Sequence, residues 1–119
     1  KIFLECDQEQ LSRVFLNLIK NSIESIQQKS ENISNFNKKI TIELVHNNSQ
    51  ISITIKDNGI GFENFKENIK DVLNPYITSK KNGTGLGLSI VNKIVNDHNG
   101  KIEFISIKDG AQIKVIFVI

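Results

Sequence analysis

ITIELVHNNSQISITIKDNGIGF, residues 40–62, is the stretch whose reading decides the fold. Ile40, Ile42 and Leu44 alternate with Thr41, Glu43 and Val45. Beyond a polar turn at Asn47-Asn48, Ile51, Ile53 and Ile55 alternate with Ser52, Thr54 and Lys56. Two period-2 runs joined by a short polar turn predict a β-hairpin. The second run ends in Asp57-Asn58-Gly59-Ile60-Gly61, and an Asn-Gly pair is ordinarily hairpin-turn chemistry. The next residues, Phe62-Glu63-Asn64-Phe65-Lys66, do not alternate as a return strand would. A carboxylate at a strand end, succeeded by glycines that permit close backbone approach, suits a pocket for a planar ligand. Asp57 would there accept a hydrogen bond from an amine.

Outward from this stretch the chain divides cleanly. Residues 1–5 form a short apolar run that predicts an edge strand. Asp7 is a candidate N-cap for a helix from about Gln8 to near Lys29, with Leu11, Val14, Phe15, Leu18, Ser22, Ile26 and, on the flank, Ile19 at helical spacing. Residues 30–38 are polar and Asn-rich and read as a loop. Residues 57–85 hold four of the seven glycines and the single proline, with space for a short helix within 62–73. So long an irregular connection in a compact domain marks a functional loop or lid. From Leu86, the spacing of Leu88, Val91, Ile94, Val95 and His98 predicts a second helix, stopped by Asn99-Gly100. Residues 101–107 and 111–119 alternate again, with Asp109-Gly110 as the turn. The order β-α-β-β-lid-α-β-β predicts an α+β fold with helices on one face of the sheet.

Composition bounds the function. The 119 residues carry a net charge of +2, too small to argue for nucleic acid or an anionic membrane. No stretch approaches the ~20 apolar residues of a membrane helix, and no signal peptide opens the chain. One cysteine, Cys6, makes neither an internal disulfide nor a cysteine-rich metal site. The expectation is one soluble, cytoplasmic domain over residues 1–119. The 21 Ile, 15 Asn and 14 Lys against a single Arg suggest an AT-rich gene, and the lack of Met suggests a domain cut from a longer protein.

Two further constellations carry chemistry. Asn17 and Asn21 are four residues apart, so both point the same way from the first helix, with Lys20 and Glu24 on the adjoining stripe. Their amide oxygens suit a hard cation such as Mg2+. The plainer reading is solvent-facing Asn in an Asn-rich chain. The second is Gly83-Thr84-Gly85-Leu86-Gly87-Leu88-Ser89, a glycine-rich turn opening a helix and so a ready phosphate site. No strand directly precedes it, as a Rossmann motif requires, and Gly87 is followed by Leu88 where a P-loop needs Lys. Lys80 and Lys81 lie within reach of phosphate oxygens.

Together these segments resemble sensor histidine kinases. NLIKN (17–21), DNGIGF (57–62) and GTGLGLSIV (83–91) are similar to that family's N, G1 and G2 boxes, in the family's order. LNPYITSK (73–80) looks like its F box, and DHNGKI (97–102) is typical of the segment after its second helix. The resemblance covers essentially the whole chain and is nearest to the nitrogen-regulation kinases of NtrY or NtrB type. It implies a Bergerat (GHKL) α/β sandwich, with a mixed, mostly antiparallel sheet, helices on one face and an ATP lid.

The resemblance also implies roles. Asn21 would ligate Mg2+ bridging the ATP phosphates, with Asn17 and Lys20 supporting the phosphate end as catalytic residues. Asp57 would hydrogen-bond the adenine amino group, and Gly59 and Gly61 would let the backbone approach the base. Gly83, Thr84, Gly85, Leu86, Gly87 and Leu88 would cradle phosphates, with Tyr76 and Lys80 on the lid. Departures are mild: Ser22 stands where Ala is common, both F-box Phe are missing, and Ala111-Gln112 replaces a frequent Gly-Thr. The γ-phosphoryl acceptor would be a histidine on a separate dimerisation domain, since neither His46 nor His98 reads as that acceptor, and a response regulator would act downstream. Any inner-membrane anchor would belong to the parent. The alternatives are a hydrolysing ATPase of the same fold and a nucleotide-binding pseudokinase. Asn17 lacks the carboxylate a general base for hydrolysis needs, which disfavours the first.

Overall fold

The computed structural model describes residues 3–61 and 87–119. Within them the chain forms α1 (Gln8–Ser30), β1 (Ile40–His46), β2 (Gln50–Asp57), α2 (Gly87–Asp97), β3 (Gly100–Ile107) and β4 (Gly110–Val118). The strands make one sheet in the order β1-β2-β4-β3, and all three pairings are antiparallel. Both helices pack together and against the sheet, as the helical and period-2 patterns predict. Among the described residues, no helix is long and apolar enough to cross a membrane.

Helix α1 starts where Asp7, in extended conformation, accepts a hydrogen bond from the Gln10 N–H at 3.0 Å. Its buried stripe is Leu11, Val14, Leu18, Ser22 and Ile26, while Phe15 and Ile19 of the expected stripe are half-buried and pack against the core from its edge. Leu11, Val14 and Leu18 join Val91, Ile94 and Val95 of α2 and Ile55, Ile113, Val115 and Phe117 of the sheet in one core. The register explains which strand residues take part. Ile55 opposes Ile113, Ile53 opposes Val115 and Ile51 opposes Phe117, so all six share the helix-side face.

Three details depart from the sequence expectation. Residues 3–7 form no strand. Leu4 alone of this run packs on the core, Phe3 is exposed, and the chain turns at once into the α1 cap. The sheet is accordingly antiparallel throughout the described residues rather than mixed. Strand β1 alternates in sequence, yet Ile42 and Leu44 are more than half exposed on the helix-side face. The β3–β4 turn is Lys108-Asp109, because Gly110 already pairs with Ile107. Asp109 takes the left-handed φ of +62° there, which Asp tolerates better than most residues.

His98 ties the helix ends together. Its Nδ1–H donates to the Ile94 carbonyl at 2.8 Å, and its Nε2 accepts from the Asp7 N–H at 3.0 Å. The C-terminal end of α2 is thus fixed to the cap of α1, a structural role for His98.

Leu18 is fully buried at the centre of this core. Leu18→Ala should destabilise the chain by about 2–5 kcal/mol, measured by chemical denaturation at neutral pH. A loss below 1 kcal/mol (about one methylene's worth) would contradict this account of the core.

Candidate functional site

Asp57 is the last residue of β2 and sits on the helix-side face, opposite Ala111 of β4. It is 6% exposed, an unusual place for a carboxylate. The Gly59 N–H donates to it at 2.8 Å, and Ser22 of α1 and the Ala111 backbone of β4 also favour its ionised form. Lys29, near the end of α1, adds a favourable charge. Burial outweighs these influences and pushes the Asp57 carboxyl above its ordinary value.

The loop after Asp57 is pressed against its neighbours from two sides. A Cβ on Gly59 would lie 2.7 Å from the Ser25 carbonyl carbon and 2.8 Å from the Ile26 nitrogen, so only glycine lets the loop touch α1. Ser25 Oγ accepts from the Ile60 N–H at 2.9 Å. On the other side Gly61 has φ +71°, and a Cβ there would stand 2.6 Å from the Gly110 carbonyl oxygen. The glycines expected to admit a base are thus also the residues that seat the loop between α1 and the β3–β4 turn.

Residues hidden to sequence reasoning complete this frame. Asn58 donates through Nδ2 to the Asn37 carbonyl at 2.7 Å and accepts from the Lys39 N–H at 3.0 Å, fastening the loop to the segment before β1. Lys29 Nζ reaches the Asp109 carbonyl at 3.4 Å and lies 5.4 Å from the centre of the Phe36 ring. Asn58 lies within DNGIGF, yet no period or motif marks its tie to the segment before β1 or the reach of Lys29. The one available signal is a serine on the buried helical stripe, Ser22, where Ala would serve the helix better.

Of the residues expected at a phosphate end, Asn17 and Asn21 lie half-buried on one flank of α1, and Lys20 is exposed beside them. Leu88, at the start of α2, packs on the core cluster that includes Leu18, the neighbour of Asn17. Gly87 is the first residue of α2. Tyr76, Lys80, Gly83, Thr84, Gly85 and Leu86, with the expected short helix within 62–73, lie outside the described residues. Among the described residues, no group of three His, Cys, Asp or Glu converges as a metal cluster.

Comparison with known proteins agrees with this architecture. Residues 6–119 match the model of the family described as histidine kinase-, DNA gyrase B- and HSP90-like ATPase. The chain is 36% identical over 106 residues to the sensory histidine kinase/phosphatase NtrB of Azospirillum brasilense, covering 82% of this chain and 26% of that protein. It is 32% identical over 108 residues to a putative NtrY-like sensor histidine kinase of Rickettsia bellii, covering 91% and 16%. Among solved structures, the catalytic domain of the histidine kinase ThkA superposes with a TM-score of 0.76 at 28% identity, covering 97% of this chain and 71% of that one. The chain therefore spans about a quarter or less of the length of these two curated relatives.

The raised Asp57 carboxyl has a thermodynamic consequence. Between its raised folded-state value and the ordinary 3.8, the folded chain binds more protons than the unfolded one, so stability rises as pH falls through that window. The unfolding free energy of the wild type minus that of Asp57→Ala should therefore grow as pH drops from about 7 to about 4. Denaturant titrations at a series of pH values measure it, and a difference that shrinks toward acid would contradict the burial of this carboxylate.

Proposed function

The chain belongs to the histidine kinase-, DNA gyrase B- and HSP90-like ATPase family, and from that premise we propose that it is the module of a sensor histidine kinase that binds Mg-ATP and presents the γ-phosphoryl group to a histidine elsewhere. The acceptor histidine lies on a separate dimerisation domain of the parent, and a response regulator takes the phosphoryl group from it. Residues 1–119 are one domain of that longer protein.

The observation that carries this reading is the buried Asp57 carboxylate at a strand end, held by the Gly59 N–H beside two close-packed glycines. An isolated buried carboxylate is costly, and keeping one at a strand end fits the recognition of a base amine. The phosphate end is read on Asn17, Lys20 and Asn21 with Gly83, Thr84, Gly85, Leu86, Gly87 and Leu88, and Tyr76 and Lys80 are assigned to the lid. Amide oxygens fit Mg2+, which takes oxygen ligands and keeps several waters or phosphate oxygens rather than a protein cage. Bound there by Asn21, the ion would neutralise charge on the phosphates.

Phosphoryl transfer asks a protein mainly for positioning and charge stabilisation. Asp57 selects and orients the base. Gly59 and Gly61 seat the loop against α1 and the β3–β4 turn, which holds that carboxylate still. Asn17 and Lys20 hold the phosphate end on the flank of α1. His98 has both ring nitrogens engaged with backbone groups, and His46 lies on the exposed edge strand. Neither serves as acceptor.

Asn21→Asp and Asp57→Asn should each weaken Mg-ATP binding by about ten- to a hundredfold in calorimetry. Unchanged affinity in both variants would sink the site. With labelled ATP, the chain alone should stay nearly unlabelled, and a parent fragment bearing the acceptor histidine should become labelled only when the chain is added. Strong labelling of His46 or His98 would overturn the division of labour between domains.

A further inference from the structure

Strand β2 stops pairing at Asp57, opposite Ile40, and the next pair in register would be Asn58 with Lys39. Half of that pair exists in backbone form, because the Asn58 N–H donates to the Lys39 carbonyl at 3.3 Å. The returning bond goes to a side chain. The Lys39 N–H donates to Asn58 Oδ1 at 3.0 Å, and Asn58 Nδ2 donates to the Asn37 carbonyl at 2.7 Å. Partners in an antiparallel pair exchange two N–H···O bonds, and here an amide side chain supplies the acceptor that a strand carbonyl ordinarily supplies. The main chain is thereby released from the sheet directly after Asp57, with the Lys39 N–H still satisfied.

Release at this point bears on the carboxylate. The turned chain brings the Gly59 N–H back to Asp57 Oδ1 at 2.8 Å and seats the Ile60 N–H on Ser25 Oγ at 2.9 Å. Three successive N–H groups are held in this way, by the segment before β1, by Asp57 itself and by α1. The last torsion of a carboxylate is broad and roughly two-fold, so a fixed donor such as the Gly59 N–H gives Asp57 its direction. That N–H belongs to the peptide between Asn58 and Gly59. Both ends of the Asn58 amide are committed to backbone groups, so this side chain places the chain rather than a ligand.

We propose that Asn58 is a positioning residue for base recognition: standing in for a strand carbonyl, it turns the main chain off the sheet so that the Gly59 N–H aims the Asp57 carboxylate at the base. This role rests on the nucleotide-binding reading and deepens it. A 6-amino purine offers a donor to an aimed carboxylate, and a 6-oxo purine presents an acceptor there. Preference for the amino base therefore depends on an amide whose own partners are residues 37 and 39.

The test uses the full 119-residue chain and compares wild type, Asn58→Ser and Asn58→Asp. Serine is too short to reach both partners. In nucleotide-free Asn58→Ser, amide exchange at Gly59 should quicken about tenfold relative to amides of the β2–β4 ladder. Carboxyl-carbon NMR should show Asp57 titrating at higher pH, because the ionised form has lost a donor. Lys29, the charged group acting on Asp57, is the same in all three proteins. Asn58→Asp is isosteric and keeps an acceptor for Lys39, but sets a carboxylate against the Asn37 carbonyl. Its added charge moves the Asp57 titration by itself, so quickened exchange at Gly59 is the readout there. Calorimetry with ATP and inosine triphosphate should show the preference for ATP falling about two- to tenfold in Asn58→Ser, with the loss on the ATP side. Unmoved Gly59 exchange in both variants, an unmoved Asp57 titration in Asn58→Ser, or equal losses for both nucleotides overturns the proposal. A wild-type chain that binds neither nucleotide, while Gly59 exchange still quickens in the variants, overturns the nucleotide reading and upholds the hold of Asn58 on the loop.

Discussion

A carboxylate buried at the end of β2 constrains everything around it. Desolvation of Asp57 is the largest influence on its ionisation, and groups from three separate elements oppose it. The loop contributes Gly59, α1 contributes Ser22 and β4 contributes Ala111. Each fixes a relationship between elements. Ala111 needs the β2–β4 register that sets Asp57 opposite it, and a slip of one residue would turn Asp57 to the other face. Ser22 needs α1 at one axial position over β2. The Gly59 N–H needs the loop to fold back at once, which its contact with the α1 backbone permits only to glycine.

The same logic accounts for the pair Gly61 and Gly110. A Cβ on either would meet backbone of the other's segment: the Gly110 carbonyl in one case, the Asp57 carbonyl carbon and Asn58 Cα in the other. Two segments far apart in the chain cross here at backbone distance. The β3–β4 turn therefore acts as the back wall of the Asp57 loop. Lys29, reaching the Asp109 carbonyl from α1, ties that wall to the helix in turn. In sequence the glycines of the loop read as room for a ligand's base, and in the fold they equally give the loop a fixed seat.

Much of this is legible in the sequence, and the remainder has a physical pattern. Helix α1 and both hairpins emerge from hydrophobic period, because burial on one face imposes that period directly. Asp57 is legible because a carboxylate where a return strand should begin has no ordinary structural excuse. Periodicity states which face a residue occupies and not whether anything covers it, so the exposure of Ile42 and Leu44 on β1 is invisible to it. Of the run 1–5 that suggests a strand, the described residues 3–5 form none, because a short apolar run does not hold a strand beside a helix cap. Ser22, Ser25, Asn58 and His98 act through partners distant in sequence, 35 residues apart for Ser25 and Ile60 and 91 for His98 and Asp7. Such pairings leave no local pattern. The roles read for Tyr76 to Leu86, outside the described residues, rest on the glycine-rich pattern and on resemblance.

Helix α1 does its several jobs on separate stripes, and this makes it the ruler of the site. Leu11, Val14, Leu18 and Ile26 anchor it in the core, Ser22 and Ser25 reach the Asp57 loop, and the adjoining flank carries Asn17 and Asn21. At 1.5 Å per residue, Asn17 and Ser25 stand about 12 Å apart along the axis. On the proposed function, the phosphate end and the base end of one nucleotide are thus measured out on one rigid element. That element is held at both ends, by His98 on the Asp7 N–H and by Lys29 on the Asp109 carbonyl. A displacement of α1 along its axis cannot move one end of the site without the other. The two serines consequently cost α1 some intrinsic helicity, and in return they register the ruler against the carboxylate from which its length is read.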